Sequence, residues 1–222
     1  MNQHPCKRCQ QPIDISGADE RLLLMITRYG LICTPCSEDQ VRRAKIAAGL
    51  TRWDRLVPAS LRTPDDGRSL AASAIAGDLD RALGGSLILY LVGPCRSGKT
   101  RAAYHALRQP MIEGRSVEAV SLAELATTLP LRSGEYLAEL VERLQCVQIL
   151  LIDDLDKAIF SPRFAQIVYC IINGRILAQR ITIMTSNIGI IPLQHLIAET
   201  CPAWAEPIVS RIDENARTWV IE

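Results

Sequence analysis

The chain has 222 residues, of which 48% are hydrophobic, 22% charged and only 5% aromatic. That is enough aliphatic material for a sizeable core in one or two domains, and it excludes wholesale disorder and collagen-like or coiled-coil architectures. The 25 Lys and Arg against 24 Asp and Glu give a net charge of +1, which excludes a polybasic nucleic-acid coat but leaves room for a local basic face.

Residues 1–50 read as a zinc-binding module followed by a helix. Cys6-Lys7-Arg8-Cys9 and Cys33-Thr34-Pro35-Cys36 are two CxxC knuckles. Knuckles about 15–25 residues apart suit a tetrahedral zinc ion, each tight turn supplying two thiolates. Lys7 and Arg8 beside the thiolates are expected to lower their pKa values. Between the knuckles, the alternation Leu22-Leu24-Ile26 and a turn at Tyr29-Gly30 suggest a small zinc-ribbon-like hairpin. A redox pair, or free thiols in an apolar cluster, is the alternative. The other cysteines, Cys95, Cys146, Cys170 and Cys201, are scattered singly and read as small hydrophobes. Ser37 is a plausible N-cap for a helix to about Leu50, with Glu38 and Asp39 in its first turn.

Residues 51–68 are rich in Pro, Arg and Asp and read as a linker. An Ala-rich helix over about 69–83 follows, ended by Gly84-Gly85. From there short apolar strands alternate with amphipathic helices. The strands are expected at 87–92, 117–121, 149–153, 181–185 and 218–221. The helices are expected at about 99–113, 135–144, 164–179, 193–199 and 206–212. Such alternation predicts an α/β fold with a five-stranded parallel sheet covered by helices on both faces. The longest apolar runs, 87–92 and 149–152, are too short to cross a bilayer, and the N-terminus lacks the layout of a signal peptide. A cytoplasmic protein without membrane contact is the expectation.

The first of these strands runs into Gly93-Pro94-Cys95-Arg96-Ser97-Gly98-Lys99-Thr100, a full GxxxxGK[ST] match between strand and helix. The glycines let the backbone curl so that its N–H groups point at phosphate oxygens. Lys99 reaches the β and γ phosphates of ATP, and Thr100 offers a hydroxyl to Mg²⁺. The helix N-terminus beneath adds partial positive charge. A P-loop predicts a second apolar strand ending in an acid, and Ile149-Leu150-Leu151-Ile152-Asp153-Asp154 fits. Asp153 is expected to orient Mg²⁺ and Asp154 to polarise the attacking water. A third strand ends in Ser186-Asn187, where the Asn187 amide either contacts the γ-phosphate or lytic water, or caps a turn before Gly189. Arg211, in Ser210-Arg211-Ile212, has nothing in its local pattern to distinguish it from a solvated surface arginine.

Taken together, these motifs resemble the DnaC/IstB branch of the AAA+ ATPases, helicase loaders and transposition-helper ATPases. The resemblance runs from about Leu87 onward and is most specific at Leu122-Ala123-Glu124-Leu125, at 137–144, at Leu150-Leu151-Ile152-Asp153-Asp154-Leu155 and at Thr185-Ser186-Asn187. It implies an AAA+ core over residues 69–222, with Asn187 as the sensor-1 residue and Arg211 as the arginine finger entering a neighbouring subunit's ATP site. It further implies an ATP-dependent homo-oligomer, a replicative helicase or another replication or recombination protein as partner, and contact with single-stranded DNA. An amino-terminal cysteine zinc module ahead of the core is also similar to several loaders, which use that part to grip the replicative helicase.

Three departures stand out. Asp156 takes a position that is frequently Gly in the family. Asp154 stands where many AAA+ proteins have Glu, although Asp-Asp is common in this branch. After the last strand there is no room for the helical lid that carries sensor 2, which implies slow turnover and a nucleotide-gated switch. A transposition helper, or a zinc-anchored adaptor that binds nucleotide without hydrolysing it, are the alternatives.

Overall fold

The computed structural model describes residues 3–19, 26, 30–62, 74–75, 78–129 and 133–222. The expectations placed on Leu22, Leu24 and Tyr29, on 63–68 of the linker and on 69–73 and 76–77 of the Ala-rich helix lie outside the described residues. The chain divides into two compact units, Met1–Ala48 and Gly49–Glu222. Among the described residues, no helix is long and apolar enough to cross a membrane.

In the first unit, β1 (Gln3–Pro5) pairs antiparallel with β2 (Pro12–Asp14), with His4 opposite Ile13. Helix α1 (Thr34–Leu56) begins upstream of Ser37, which therefore is not its cap. Pro35 sits in the first turn, where its missing N–H has no helical partner to lose. The Ser37 N–H donates to the Cys33 carbonyl at 2.9 Å, so the second knuckle and the start of the helix are one continuous turn.

Helix α1 also runs past Leu50, into what composition marked as linker. The reason is burial within the second unit. Trp53 is 5% exposed, and its Nε1 donates to the Tyr104 carbonyl at 3.0 Å. Its ring meets His105 edge-on at 5.2 Å. A side chain on Gly49 would strike the Ile112 backbone at 2.4 Å, so only glycine permits this approach. The Pro- and Arg-rich text thus hides two helical turns and a 3₁₀ turn at Ala59–Leu61.

The second unit continues with α2 (Leu79–Leu83), β3 (Ile88–Val92), α3 (Lys99–Ala106), α4 (Arg108–Ile112), β4 (Val117–Ser121), α5 (Leu122–Thr128) and α6 (Gly134–Cys146). It closes with β5 (Ile149–Asp153), α7 (Pro162–Leu177), β6 (Ile181–Ser186), α8 (Ile190–Thr200), α9 (Pro202–Asn215) and β7 (Ala216–Val220). The single helix expected over 99–113 is therefore two, breaking at Leu107 ahead of Pro110. The last strand starts earlier than expected, yet the Ile221 N–H still donates to the Val92 carbonyl at 2.8 Å.

Among the described residues, the strands form one five-stranded parallel sheet in the order β4-β5-β6-β3-β7. Their continuous apolar sequences split by strand period between the faces. Ile88, Tyr90, Leu150, Ile152 and Met184 point to the side covered by α6, α7, α8 and α9. Leu89, Leu91, Ile149, Leu151 and Ile183 point to the side covered by α3 and α2. Adjacent strands β3 and β6 thus send their following helices to opposite faces, which opens a crevice at their carboxyl ends.

One buried cation holds the first layer together. Arg175 of α7 is fully buried and donates to the carbonyls of Leu144 at 2.6 Å and Val147 at 2.8 Å, to the Ile181 carbonyl, and to Thr182 Oγ1 at 2.9 Å. Burial, helped by nearby Arg180, draws its pKa down to about 10, so it stays charged at neutral pH. It closes the carboxyl end of α6 and fastens the start of β6. Arg175→Ala is expected to lower the urea unfolding free energy by about 3 kcal/mol, because the carbonyls of Leu144, Val147 and Ile181 lose a donor at roughly 1 kcal/mol each. A loss below about 1 kcal/mol would show that those carbonyls find other donors.

Candidate nucleotide site and cysteine cluster

The P-loop, Gly93 to Thr100, connects β3 to α3 at the crevice. Gly93 is dictated by space, since a Cβ there would lie 1.9 Å from the Ile221 carbonyl oxygen. Gly98 has φ +95°, a left-handed value that glycine adopts without strain, and it starts α3. Arg96 has φ +67° inside the same loop and lacks that freedom.

Lys99 is only 7% exposed. Its Nζ donates to the Gly93 carbonyl at 2.8 Å, the Pro94 carbonyl at 2.6 Å and Asn187 Oδ1 at 3.1 Å, with Ser97 Oγ at 3.5 Å. Burial pulls its pKa down, and the carboxylates of Asp156, Asp154 and Asp153 act in the opposite direction. The ammonium is thus folded onto carbonyls of its own loop, groups it can exchange for phosphate oxygens.

Thr100 follows at the start of α3 and donates through Oγ1 to Asp153 Oδ1 at 2.9 Å. Thr185 of β6 donates its hydroxyl to the same oxygen of Asp153 and accepts the Asp154 N–H at 3.0 Å. Asp153 Oδ1 and Thr100 Oγ1 are hard oxygen donors, the kind Mg²⁺ takes alongside phosphate and water. Asp154 has φ +59°, and burial together with Asp153 and Asp156 pushes its carboxyl above the usual range.

Asn187 lies just beyond β6 and bridges two charges. Its Oδ1 accepts from Lys99, while its Nδ2 donates to Asp156 Oδ2 at 2.8 Å and its main-chain N–H to Asp156 Oδ1 at 2.9 Å. Tyr90 of β3 donates to the Ile188 carbonyl at 2.7 Å and holds the following turn. Lys99, Thr100, Asp153 and Asn187 therefore meet at one place, with Asp154 next in the chain. Arg211 is not part of this group. It lies on α9, with its guanidinium 3.5 Å from Glu214. Two residues of the site were not singled out from sequence. Locally Thr185 reads only as part of Thr-Ser-Asn, because its place beside Asp153 on a neighbouring strand is contained in neither segment. Asp156 was visible only as a departure from glycine.

In the first unit the four cysteines come together. The sulfurs of Cys6, Cys9, Cys33 and Cys36 all lie within 4.8 Å of one another, with Cys9 and Cys33 at 3.6 Å. A tetrahedron of ~2.3 Å Zn–S bonds has sulfur–sulfur edges of ~3.8 Å, so the donor set fits zinc in type and spacing. The Cys6 Sγ accepts N–H groups of Cys33 at 3.4 Å and Arg8 at 3.5 Å. Main-chain N–H groups of Cys33, Cys9 and Arg8 bring the Cys6 thiol down to about 6. Neighbouring Cys33 and Cys9 push Cys36 up to about 12. The Arg8 guanidinium, expected to act on the thiolates, instead binds the Cys36 carbonyl at 3.2 Å and Asp39 at 3.4 Å. Asp39 also takes Arg42 at 3.1 Å and Arg43 at 2.9 Å within α1, so its pair with Arg8 ties the first knuckle to the helix.

No family model and no curated protein matches the sequence. Solved structures do match. The chain is similar to DnaI, with a TM-score of 0.60 and 23% identity over 77% of this chain and 97% of that one. It is similar to the DnaC helicase loader, with a TM-score of 0.53 and 18% identity over 77% of this chain and 99% of that one. It is also similar to AMPPCP-bound DnaA from Aquifex aeolicus, with a TM-score of 0.58 and 19% identity over 72% of this chain and 48% of that one. At these identities the likeness is one of fold alone, the α/β fold shared with DnaI, DnaC and DnaA.

Proposed function

We propose that the protein is an ATP-binding and slowly ATP-hydrolysing replication accessory protein that loads or regulates a replicative helicase. The observation that carries the nucleotide reading is the convergence of Lys99, Thr100, Asp153 and Asn187 at the carboxyl ends of β3, β5 and β6. In this reading the P-loop N–H groups and Lys99 hold the phosphates. Thr100 and Asp153 hold Mg²⁺, which supplies charge to the β and γ oxygens when bound. Asp154 takes the attacking water; burial and the neighbouring Asp153 and Asp156 raise its carboxyl above the usual range, which makes it a better proton acceptor. Arg211, exposed on α9 and absent from its own chain's site, serves the ATP site of a neighbouring copy in a head-to-tail oligomer.

The helicase-loading part rests on two further supports. DnaI and the DnaC helicase loader are matched over nearly their whole length. The cysteine cluster also gives the chain a separate small unit for gripping a partner. With a net charge of +1, single-stranded DNA is bound by the assembled oligomer rather than by one chain. The zinc of the cluster supplies folding energy rather than chemistry, since four thiolates leave no open coordination position.

Lys99→Ala is expected to weaken ATP binding by roughly a hundred-fold, the scale of two lost charge-assisted hydrogen bonds. Arg211→Ala is expected to keep ATP affinity and to lower turnover by about 10³-fold, as loss of an arginine finger does. Both are read by nucleotide titration and phosphate release, with and without single-stranded DNA. Nucleotide binding without turnover in the wild type would leave the adaptor. A pull-down from the native host that returns a transposase rather than a hexameric helicase would select the transposition helper.

The double variant Cys6→Ser, Cys33→Ser is expected to lose its metal. Elemental analysis of the purified wild type should give about one zinc per chain, and the variant almost none. Equal zinc contents would remove the metal assignment.

A further inference from the structure

Asp156 lies outside the residues that hold phosphate or metal, yet it makes the most constrained contact of the site. Its carboxylate takes Asn187 at two points, the main-chain N–H on Oδ1 at 2.9 Å and the side-chain Nδ2 on Oδ2 at 2.8 Å. Lys157 Nζ stands 2.8 Å from Oδ2, and Ser186 Oγ 3.4 Å from Oδ1. The Asp156 side chain is 5% exposed. Burial acts against its charge, but Lys157 and the two Asn187 donors outweigh it and keep the carboxyl below the usual range.

The chemistry of the two neighbours leaves Asn187 one orientation. An ionised carboxylate only accepts hydrogen bonds and an ammonium only donates them. The amide must therefore turn its NH₂ to Asp156 and its oxygen to Lys99, which is 3.1 Å away. Both neighbours demand the same choice, so hydrogen-bond chemistry alone assigns the amide nitrogen and oxygen. A terminal phosphate offers acceptors alone, so the Asn187 oxygen cannot bond to it. That oxygen can accept a hydrogen from an ammonium or from water.

The geometry points to Asp156 as a positioning residue that fixes Asn187 as a hydrogen-bond acceptor at the phosphate site, first for Lys99 and, when Lys99 turns to phosphate, for the attacking water. This rests on the ATP-hydrolysis reading above. A glycine at position 156, frequent in the branch the sequence resembles, has no side chain with which to hold the amide. Once released, Asn187 is free to turn its Nδ2 toward the γ-phosphate. ATP is then held better and cleaved worse.

Asp156→Ala and Asp156→Asn separate this role from a merely structural one. In Asp156→Ala, ATP affinity relative to ADP is expected to rise roughly ten-fold, the scale of one added hydrogen bond to a charged group. Its kcat is expected to fall on the order of ten- to a hundred-fold, the cost of a misplaced catalytic group, while KM falls with it. Asp156→Asn retains an oxygen that accepts from Nδ2, and its values should lie between those of Asp156→Ala and the wild type. In ¹⁵N-edited spectra, the side-chain and main-chain amide signals of Asn187, assigned by their loss in Asn187→Ala, should both move in Asp156→Ala. Overturning results are a folded Asp156→Ala protein in which those signals stay in place, or one in which KM rises as kcat falls. Absence of turnover in the wild type would remove the hydrolysis reading by itself. The Asn187 signals and the ratio of ATP to ADP affinity, titrated with the two nucleotides, would still decide the role of Asp156.

Discussion

The hydroxyl of Thr185 has one hydrogen, and the crevice is organised by where it goes. It is given to Asp153, the last residue of β5, while the same oxygen accepts the N–H of Asp154. A hydroxyl with one donated and one accepted bond has a fixed direction, so it sets the separation of the two strand ends as firmly as a ladder bond. Backbone pairing of β5 with β6 runs from Ile149 opposite Ile181 to Ile152 opposite Met184 and stops there. The next step of the ladder is made by a side chain. Asp153 is thereby presented to Thr100, and through it to the P-loop. A slip of register by one residue would move Thr185 to the other face of the sheet and leave Asp153 without its partner.

What holds that register lies far from the candidate site. The alternate residues of β3, β5 and β6 are buried in two separate clusters, so a slip by one residue would exchange the two faces everywhere at once. Arg175 acts at the opposite end of β6, where it joins the carbonyls of Leu144, Val147 and Ile181. A hydrophobic side chain there would fill the space but leave those carbonyls without donors. The geometry of the candidate site at one end of the sheet is in this sense secured by a structural cation at the other.

The sequence made the sheet, the P-loop and the acid-ended strand legible because each depends on local text: a strand period, glycine spacing, an apolar run stopped by Asp153. The four cysteines were legible for the same reason. Contacts between distant segments were not. Trp53 reads as part of a Pro- and Arg-rich linker, and only its burial beside Tyr104 and His105 extends α1 to Leu56. Arg175 sits in a helix that also carries Arg163, Gln166 and Asn173, and nothing local says that it alone points inward. Arg8, placed by sequence among the thiolates, is drawn away by Asp39, a partner that the helix start brings close. The joining of Asp156 to Asn187 depends on two loops from neighbouring strands, so no single window of sequence contains it.

Backbone strain in the second unit is distributed in a way that follows from this arrangement. Non-glycine residues with positive φ occur there at Arg96 in the P-loop, at Asp154 after β5 and at Gln179 before β6. Such residues cost on the order of 1–3 kcal/mol each and persist only where the surroundings over-determine them. Asp154 is over-determined by its N–H bond to Thr185. Its left-handed turn ends β5 abruptly and starts the 3₁₀ turn Leu155–Lys157. A chain that continued in the extended direction would carry residue 156 past the end of β6. The turn instead brings the Asp156 carboxylate back onto Asn187. The strain at Asp154 and the orientation of the Asn187 amide are therefore two ends of one device: the backbone is bent so that a carboxylate can hold the amide with its oxygen toward Lys99.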